Sequence, residues 1–414
     1  MRFLLSQRSP SRILRARGPH CPSSPIPYSN LLSRPTLYRR GSTITYAPNK
    51  SDYEHVEYIG QTGCTYTIDE VVRREDYPFR RILFASSDDG ERFLLKYIQP
   101  ENFKNHLDVN YRLRDLASHV RLVKDVIPNM FMVVYGLGNH RSLQIVQNID
   151  LPLILIKKIL KSVLSILAEL HDRDILHGGM MANAILINWT KDEGKIDIDK
   201  VQLAILEDTA YIRPGSDIVG RLVGPRQWRS PEAYAMGPVN KPSDIFSFAI
   251  LCLYAVQKRP IFGDTPIVES LIEGSSIEGM SIEDLQIEDR GNISTSISVI
   301  ERQMSYFADK DGLRGFLNYL GRDHPFVPII ELAREGFNVD RPRQPFSRWE
   351  GVDEDFRDLI LAMTNFDPSK RITARQALGH KWFEGVEVVQ QDNHSEIQEI
   401  QESNQGSVSL ASEI

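Results

Sequence analysis

The sequence predicts an α+β fold in two lobes: a small antiparallel sheet with one helix, then a larger, mainly helical lobe. Three observations carry this. Short segments rich in β-branched, aromatic and apolar residues follow one another before residue 140, separated by turn material such as "SSDDG" at 86–90. From about residue 151 the pattern changes to long amphipathic helices, and one later run, "IFSFAILCLYAV" at 245–256, is apolar on every side.

In order, "YTIDEVVRRED", "FRRILFAS" and "ERFLLKYI" read as three sequential antiparallel strands, "LDVNYRLRDLASHVRLV" as a helix carrying Leu107, Tyr111 and Leu116 on one side, and "MFMVVYGLG" as a further strand that breaks at Gly136 and Gly138. The larger lobe opens with "LPLILIKKILKSVLSILAELHDRD". Here Ile156, Leu160, Val163, Leu167 and Leu170 form one apolar stripe, and Pro152 suits a first turn. The strand pair "AILIN" and "KVQLAIL" follows. After it comes the apolar helix, for which Ser243 is the expected N-cap. The predicted boundaries are a segment 1–51, a first lobe 52–139, a second lobe 140–384 with an acidic insert at about 265–292, and a tail 385–414. In the insert Ile-Glu recurs at Ile272, Ile277, Ile282 and Ile287, a spacing of five that fits neither helix nor strand, so an expanded loop is expected. The tail is acidic and poor in aromatics, which predicts disorder.

Charge is unevenly spread. Residues 1–51 hold nine Lys or Arg, no Asp or Glu and nine serines, the composition of an organelle transit peptide, with a mitochondrial address expected and a cytoplasmic chain with a disordered basic arm as the alternative. Setting those nine positive charges aside from the net −6 leaves −15 on the remainder, which argues against nucleic-acid partners. The twelve-residue apolar run is too short to cross a bilayer, so no membrane span is expected. Three cysteines, Cys21, Cys64 and Cys252, show no paired spacing and suggest neither a disulfide framework nor a thiolate zinc site.

Six ordered motifs carry more specific information. They are "FLLK" ending at Lys96, "LHDRDILHGGMMANAIL" at 170–186, "VQLAILED" at 201–208, "GPRQWRSPE" at 224–232, "SDIFSFAIL" at 243–251 and "FDPSKRITARQALGHKWF" at 366–383. Together they resemble the eukaryotic protein kinase family over about residues 66–384.

The resemblance implies a bilobal protein kinase-like fold and assigns positions one by one. Lys96 matches the phosphate-binding lysine, with Asp115 at a suitable distance along the chain to partner it. His177 matches the catalytic-loop histidine. Gly179 stands for the catalytic aspartate, Met181 for the catalytic-loop lysine, Ala184 for the metal-binding asparagine and Ile205 for the metal-binding aspartate. Phosphoryl transfer in the family depends on that aspartate and on magnesium held by the last two positions. The glycine-rich loop is also absent, since Arg73, Arg74, Glu75 and Asp76 occupy its place, and "GQTG" at 60–63 precedes the first strand. Glu232 and Arg371 match the family's buried ion pair, and Asp244 matches the helix aspartate that receives the catalytic-loop backbone. Glu207 and Asp208 are the acids nearest the lost metal position.

These assignments predict a pseudokinase acting as a binding, scaffolding or regulatory module with a protein partner. An atypical active Ser/Thr kinase is the competing reading. No cofactor is required by the first, no metal site is expected, and ATP would bind, through Lys96, without a normal magnesium site. Met180 and Met181 are expected to fill apolar space.

Overall fold

The computed structural model describes residues 56–73, 81–138, 140–146, 149–192, 195–204, 207–262 and 290–389. The basic segment 1–51, most of the 265–292 insert, the tail beyond 389, Arg74 to Asp76 and Ile205 therefore lie outside the described residues. The chain divides into two compact units, residues up to 97 with 123–137, and residues 98–122 with 138 onwards.

The first unit is a six-stranded sheet: β1 (Glu57–Ile59), β2 (Thr65–Arg73), β3 (Arg81–Ser86), β4 (Arg92–Tyr97), β5 (Asp125–Ile127) and β6 (Met132–Gly136), in the order β1-β2-β3-β4-β6-β5. Every pairing is antiparallel, and alternate residues Leu83, Ala85, Phe93 and Leu95 supply one buried face. Tyr66 meets Phe93 edge-to-face at 5.0 Å between ring centroids. Cys64, 1% exposed just before β2, packs in the same apolar cluster as Tyr66 and Phe93.

The second unit is built on helices. Helix α1 (Pro100–Arg112) begins before and ends well short of the 107–123 stretch read as helical, leaving Tyr111 exposed and Leu116 in a separate turn, and it packs within this unit and not beside the sheet: Val109 joins its apolar core and the Asn105 side chain donates to the Thr209 carbonyl at 2.9 Å. Helix α2 (Leu153–Asp172) buries the whole predicted stripe, from Ile156 at 8% exposed to Leu170 at 0%. A long hairpin follows, β7 (Ile185–Asp192) with β8 (Lys195–Ala204). Helix α3 (Lys241–Gln257) is buried on all sides and runs through the core. Its cap is Asn240, whose side chain accepts from the Lys241 N–H, and not Ser243. Pro242 fits the first turn of a helix, so the helix starts earlier than its first good cap residue suggested. The Ser243 hydroxyl instead bonds Ser230 at 2.7 Å. Helices α4 (Arg290–Phe307), α5 (Lys310–Leu320), α6 (Phe326–Glu335) and α7 (Glu354–Met363) complete the unit, with Phe307, Phe316, Ile330, Phe356 and Ile360 in the same core.

The start of the tail is ordered by contact with α2. Lys161 donates to the carbonyls of Phe383 (3.0 Å) and Val386 (2.6 Å), the Val389 N–H donates to the Ser162 hydroxyl, and Val386 and Val389 are both 7% exposed. Packing of these apolar side chains overrides the polar composition of the neighbouring sequence.

The predicted ion pair is formed in full. Arg371 grips Glu232 with two bonds, 2.5 and 2.8 Å, and the two side chains are 0% and 1% exposed. Two further guanidinium N–H groups donate to the carbonyls of Asn365 (2.7 Å) and Pro242 (3.1 Å), which ties the short helix Pro231–Tyr234 and the start of α3 to the segment after α7. Removing one partner strands a buried charge, so Arg371→Ala is expected to lower the unfolding free energy by about 3–5 kcal/mol. Denaturant unfolding measures it; an unchanged midpoint would mean that the pair contributes nothing to the frame.

Candidate functional site

The loop His177–Met181 is suspended between the two-residue strand Ile175–Leu176 and a tight turn at Ala182–Ala184. Its anchor is Asp244, which sits in the first turn of α3 and is 2% exposed. One carboxylate oxygen accepts from the His177 N–H at 2.7 Å, and the other from the Gly178 N–H at 2.9 Å. The last turn of α2 adds His171, whose Nε2 lies 3.0 Å from the same carboxylate. A buried carboxylate is costly unless it is hydrogen-bonded on several sides, and this one is.

His177 is fully buried. Its Nε2 donates to the Ala204 carbonyl at 2.9 Å while Nδ1 accepts from the Gly179 N–H at 3.4 Å, an arrangement that requires the neutral ring. Burial pushes its pKa below the ordinary 6.5, against the opposing pull of Asp244. The Thr209 hydroxyl closes the loop by donating to the His177 carbonyl at 2.8 Å.

Backbone packing around the loop depends on glycine. Gly178 has φ +68°, and a Cβ there would lie 2.5 Å from the Asp208 carbonyl oxygen. Gly224 has φ +83°, and its Cβ would meet the Gly178 carbonyl oxygen at 2.7 Å. Both positions need left-handed backbone and close approach, which glycine alone supplies without strain. The Asp208 carboxylate fastens the third strand of this knot by accepting from the Gly224 N–H at 3.0 Å, with the Arg221 guanidinium 3.8 Å away.

No side chain at the centre of the loop can move a proton. Gly179 has none, and Met180, Ala182 and Ala184 are buried at 1–3% exposure, with Met181 packed against the same apolar core. Thus positions 179, 181 and 184 are brought to one loop, but as backbone and hydrocarbon. Among the described residues no group of three His, Cys, Asp or Glu side chains is arranged to hold a metal ion.

Lys96 belongs to the other unit, half-buried on β4 opposite Ile82 and Val133. Asp115, suggested as its partner, instead pairs with Arg173 at 2.7 Å. In that sheet unit "GQTG" does not precede the first strand, as the sequence suggested, but forms the turn between β1 and β2, because the short β1 carries too few residues to show a strand period, and the turn is filled from within. The Asp125 carboxylate accepts from the Thr62 N–H (3.2 Å), the Thr62 hydroxyl (2.5 Å) and the Tyr66 hydroxyl (2.9 Å), so a protein acid already occupies the donors that an anion would use. Burial raises the Asp125 pKa above its usual range.

His171 and the Asp208–Gly224 contact were not singled out from the sequence. The signal for His171 was present, since it follows Leu170 six residues before His177, on the last turn of the predicted helix.

A buried bidentate pair, an apolar helix that delivers a carboxylate to a loop backbone, and the ordered motifs around them define a kinase-type α+β fold. The protein kinase domain family matches residues 118–383, more than half of the sequence, and the chain belongs to that family. Its relatives include a calcium/calmodulin-dependent protein kinase type 1 of Macrobrachium nipponense, 20% identical over 241 residues (58% of this chain, 50% of that protein). The extracellular signal-regulated kinase 1 of Dictyostelium discoideum is 23% identical over 313 residues (72% of this chain, 51% of that protein). A shorter match, 33% over 76 residues, is to the calcium/calmodulin-dependent protein kinase cmkA of Emericella nidulans (18% of this chain, 17% of that protein). The chain spans about half the length of the first two.

The lowered pKa of His177 has a consequence for stability. The unfolded chain takes up a proton at this residue near pH 6.5 while the folded chain does not, so the unfolded state binds more protons and stability falls as pH drops below about 6.5, with a slope of at most about 1.4 kcal/mol per pH unit for one group. Above that pH the contribution is flat. Urea unfolding at pH 7.5 and 5.5 is expected to show a smaller loss in His177→Gln than in the parent chain; equal losses would show that the parent imidazole titrates normally when folded.

Proposed function

We propose that this chain is a pseudokinase: a kinase-fold module that binds or scaffolds a protein partner and does not transfer phosphate. The observation that carries the reading is the loop itself. Gly179 occupies the position that the family gives to the proton-accepting aspartate, and its N–H is turned onto the buried, neutral His177. Where the family places a lysine and a metal-binding asparagine, Met181 and Ala184 are packed into hydrocarbon.

Phosphoryl transfer is catalysed almost wholly by positioning and by charge, from the base, the metal ions and their ligands. Deleting one such electrostatic group costs about 100–1,000-fold in rate, and the polar groups of this loop are replaced together. Asp208 serves the frame, with one oxygen accepting from the Gly224 N–H and the other 3.8 Å from the Arg221 guanidinium. The framework, by contrast, retains its full hydrogen bonding at Asp244 and at Glu232–Arg371. A fold kept rigid around an uncharged loop suits recognition of another protein through its surface. Lys96 remains as a contact for a nucleotide phosphate held without a normal magnesium site.

The test is incorporation of label from γ-³²P-ATP with Mg²⁺ into the chain itself and into generic protein substrates. Incorporation at the buffer background is expected. Turnover that follows the protein through purification and vanishes in Lys96→Met would establish the chain as an atypical active Ser/Thr kinase instead.

A further inference from the structure

Behind the Asp244 anchor, on the second unit, lies a cavity of about 370 Å³ that the kinase chemistry does not use. Its walls are the last turns of α2, with Ala168, His171 and Asp172; the first turn of α3, with Lys241 and Ile245; and the segment Arg371–Arg375. The volume falls within the range of small-molecule sites, and an apolar floor with a few polar groups at the rim is the usual composition of such a site.

The rim chemistry selects the ligand. Two cations reach it, Lys241 and Arg375, each held by an aspartate: Lys241 with Asp174 at 2.5 Å in a half-buried pair, and Arg375 with Asp172 at 2.6 Å in an exposed one. An exposed pair such as Arg375–Asp172 contributes about 0–1 kcal/mol, so Arg375 exchanges its partner for a ligand anion at little cost, and Lys241, with two further ammonium N–H groups, adds a donor beside it. Asp174 stands outside the lining, which leaves Asp172 as the acid within it against Lys241, Arg371 and Arg375. Arg371 is committed to Glu232, so Lys241 and Arg375 are the donors a ligand would meet.

We propose that this cavity binds a small organic anion, an apolar body bearing one carboxylate or phosphate ester. The body lies on Ala168 and Ile245, and the acid reaches Lys241 and Arg375. His171 makes the site more than a surface pocket, because it both lines the cavity and bonds Asp244, which in turn holds the amides of His177 and Gly178. A ligand there rests against the back of the same loop that defines the candidate site, one hydrogen-bonded side chain away from it.

The proposal is tested by ligand-observed NMR titration of the full chain with phenylacetate, phenyl phosphate and, as the uncharged control, benzyl alcohol. Saturable binding of at least one anion is expected, at least tenfold tighter than that of the alcohol, and the better of the two identifies the acid. In the double variant Lys241→Met, Arg375→Met this affinity should fall at least tenfold, whereas Lys241→Arg with Arg375→Lys, which keeps both charges, should retain it. Absence of saturable binding by either anion, equal binding of anion and alcohol, or an affinity unchanged in the methionine double variant would overturn the proposal.

Discussion

The carboxylate of Asp244 is the constraint on which this molecule is organised. It is delivered by the most deeply buried helix of the second unit and takes hydrogen bonds from two consecutive loop amides and one imidazole. A buried carboxylate left with unmet oxygens costs several kcal/mol, so the loop backbone, α2 and α3 hold one another in a single arrangement. The Glu232–Arg371 pair does the same for the segment before α3 and the segment after α7. Between them these two acids fix the backbone in a geometry that does not depend on which side chains the loop carries.

That separation means that the loop keeps its shape without polar side chains at its centre. Once Asp244 holds the amides of residues 177 and 178, the side chains at 179, 181 and 184 are free to change as long as they fill space. Methionine and alanine do so at no electrostatic cost, and a methionine adapts its three torsions to an irregular gap. Gly178 and Gly224 go further, since their missing side chains let three stretches of backbone lie against one another. Reintroducing charge at these positions would place it among hydrocarbon, where it must find a partner or destabilise the fold.

Much of this was legible in the sequence, and the exceptions share a cause. The α2 stripe, the apolar α3 and four of the six sheet strands were readable because each is a periodicity within one segment, whereas β1 and β5, of three residues each, are too short to show one. The Glu232–Arg371 pair and the Asp244 contacts were readable because ordered motifs name both ends. What escaped depends on how distant segments approach: His171 reaches across 73 residues to Asp244, Asp125 reaches back 63 residues to Thr62, and Val389 lands on Ser162. The cap of α3 escaped for a local reason, since Pro242 fits a first turn and lets Asn240 begin the helix before Ser243.

The proposal that the kinase frame lacks a working metal site is tested most directly by the thermal unfolding of the full chain with ATP, in the presence of Mg²⁺ and of EDTA. A ligand that binds only the folded state raises its melting temperature in proportion to affinity. Any rise caused by ATP is expected to be the same with the metal and without it. A rise of several degrees that requires Mg²⁺ would show a working metal site and contradict the proposal.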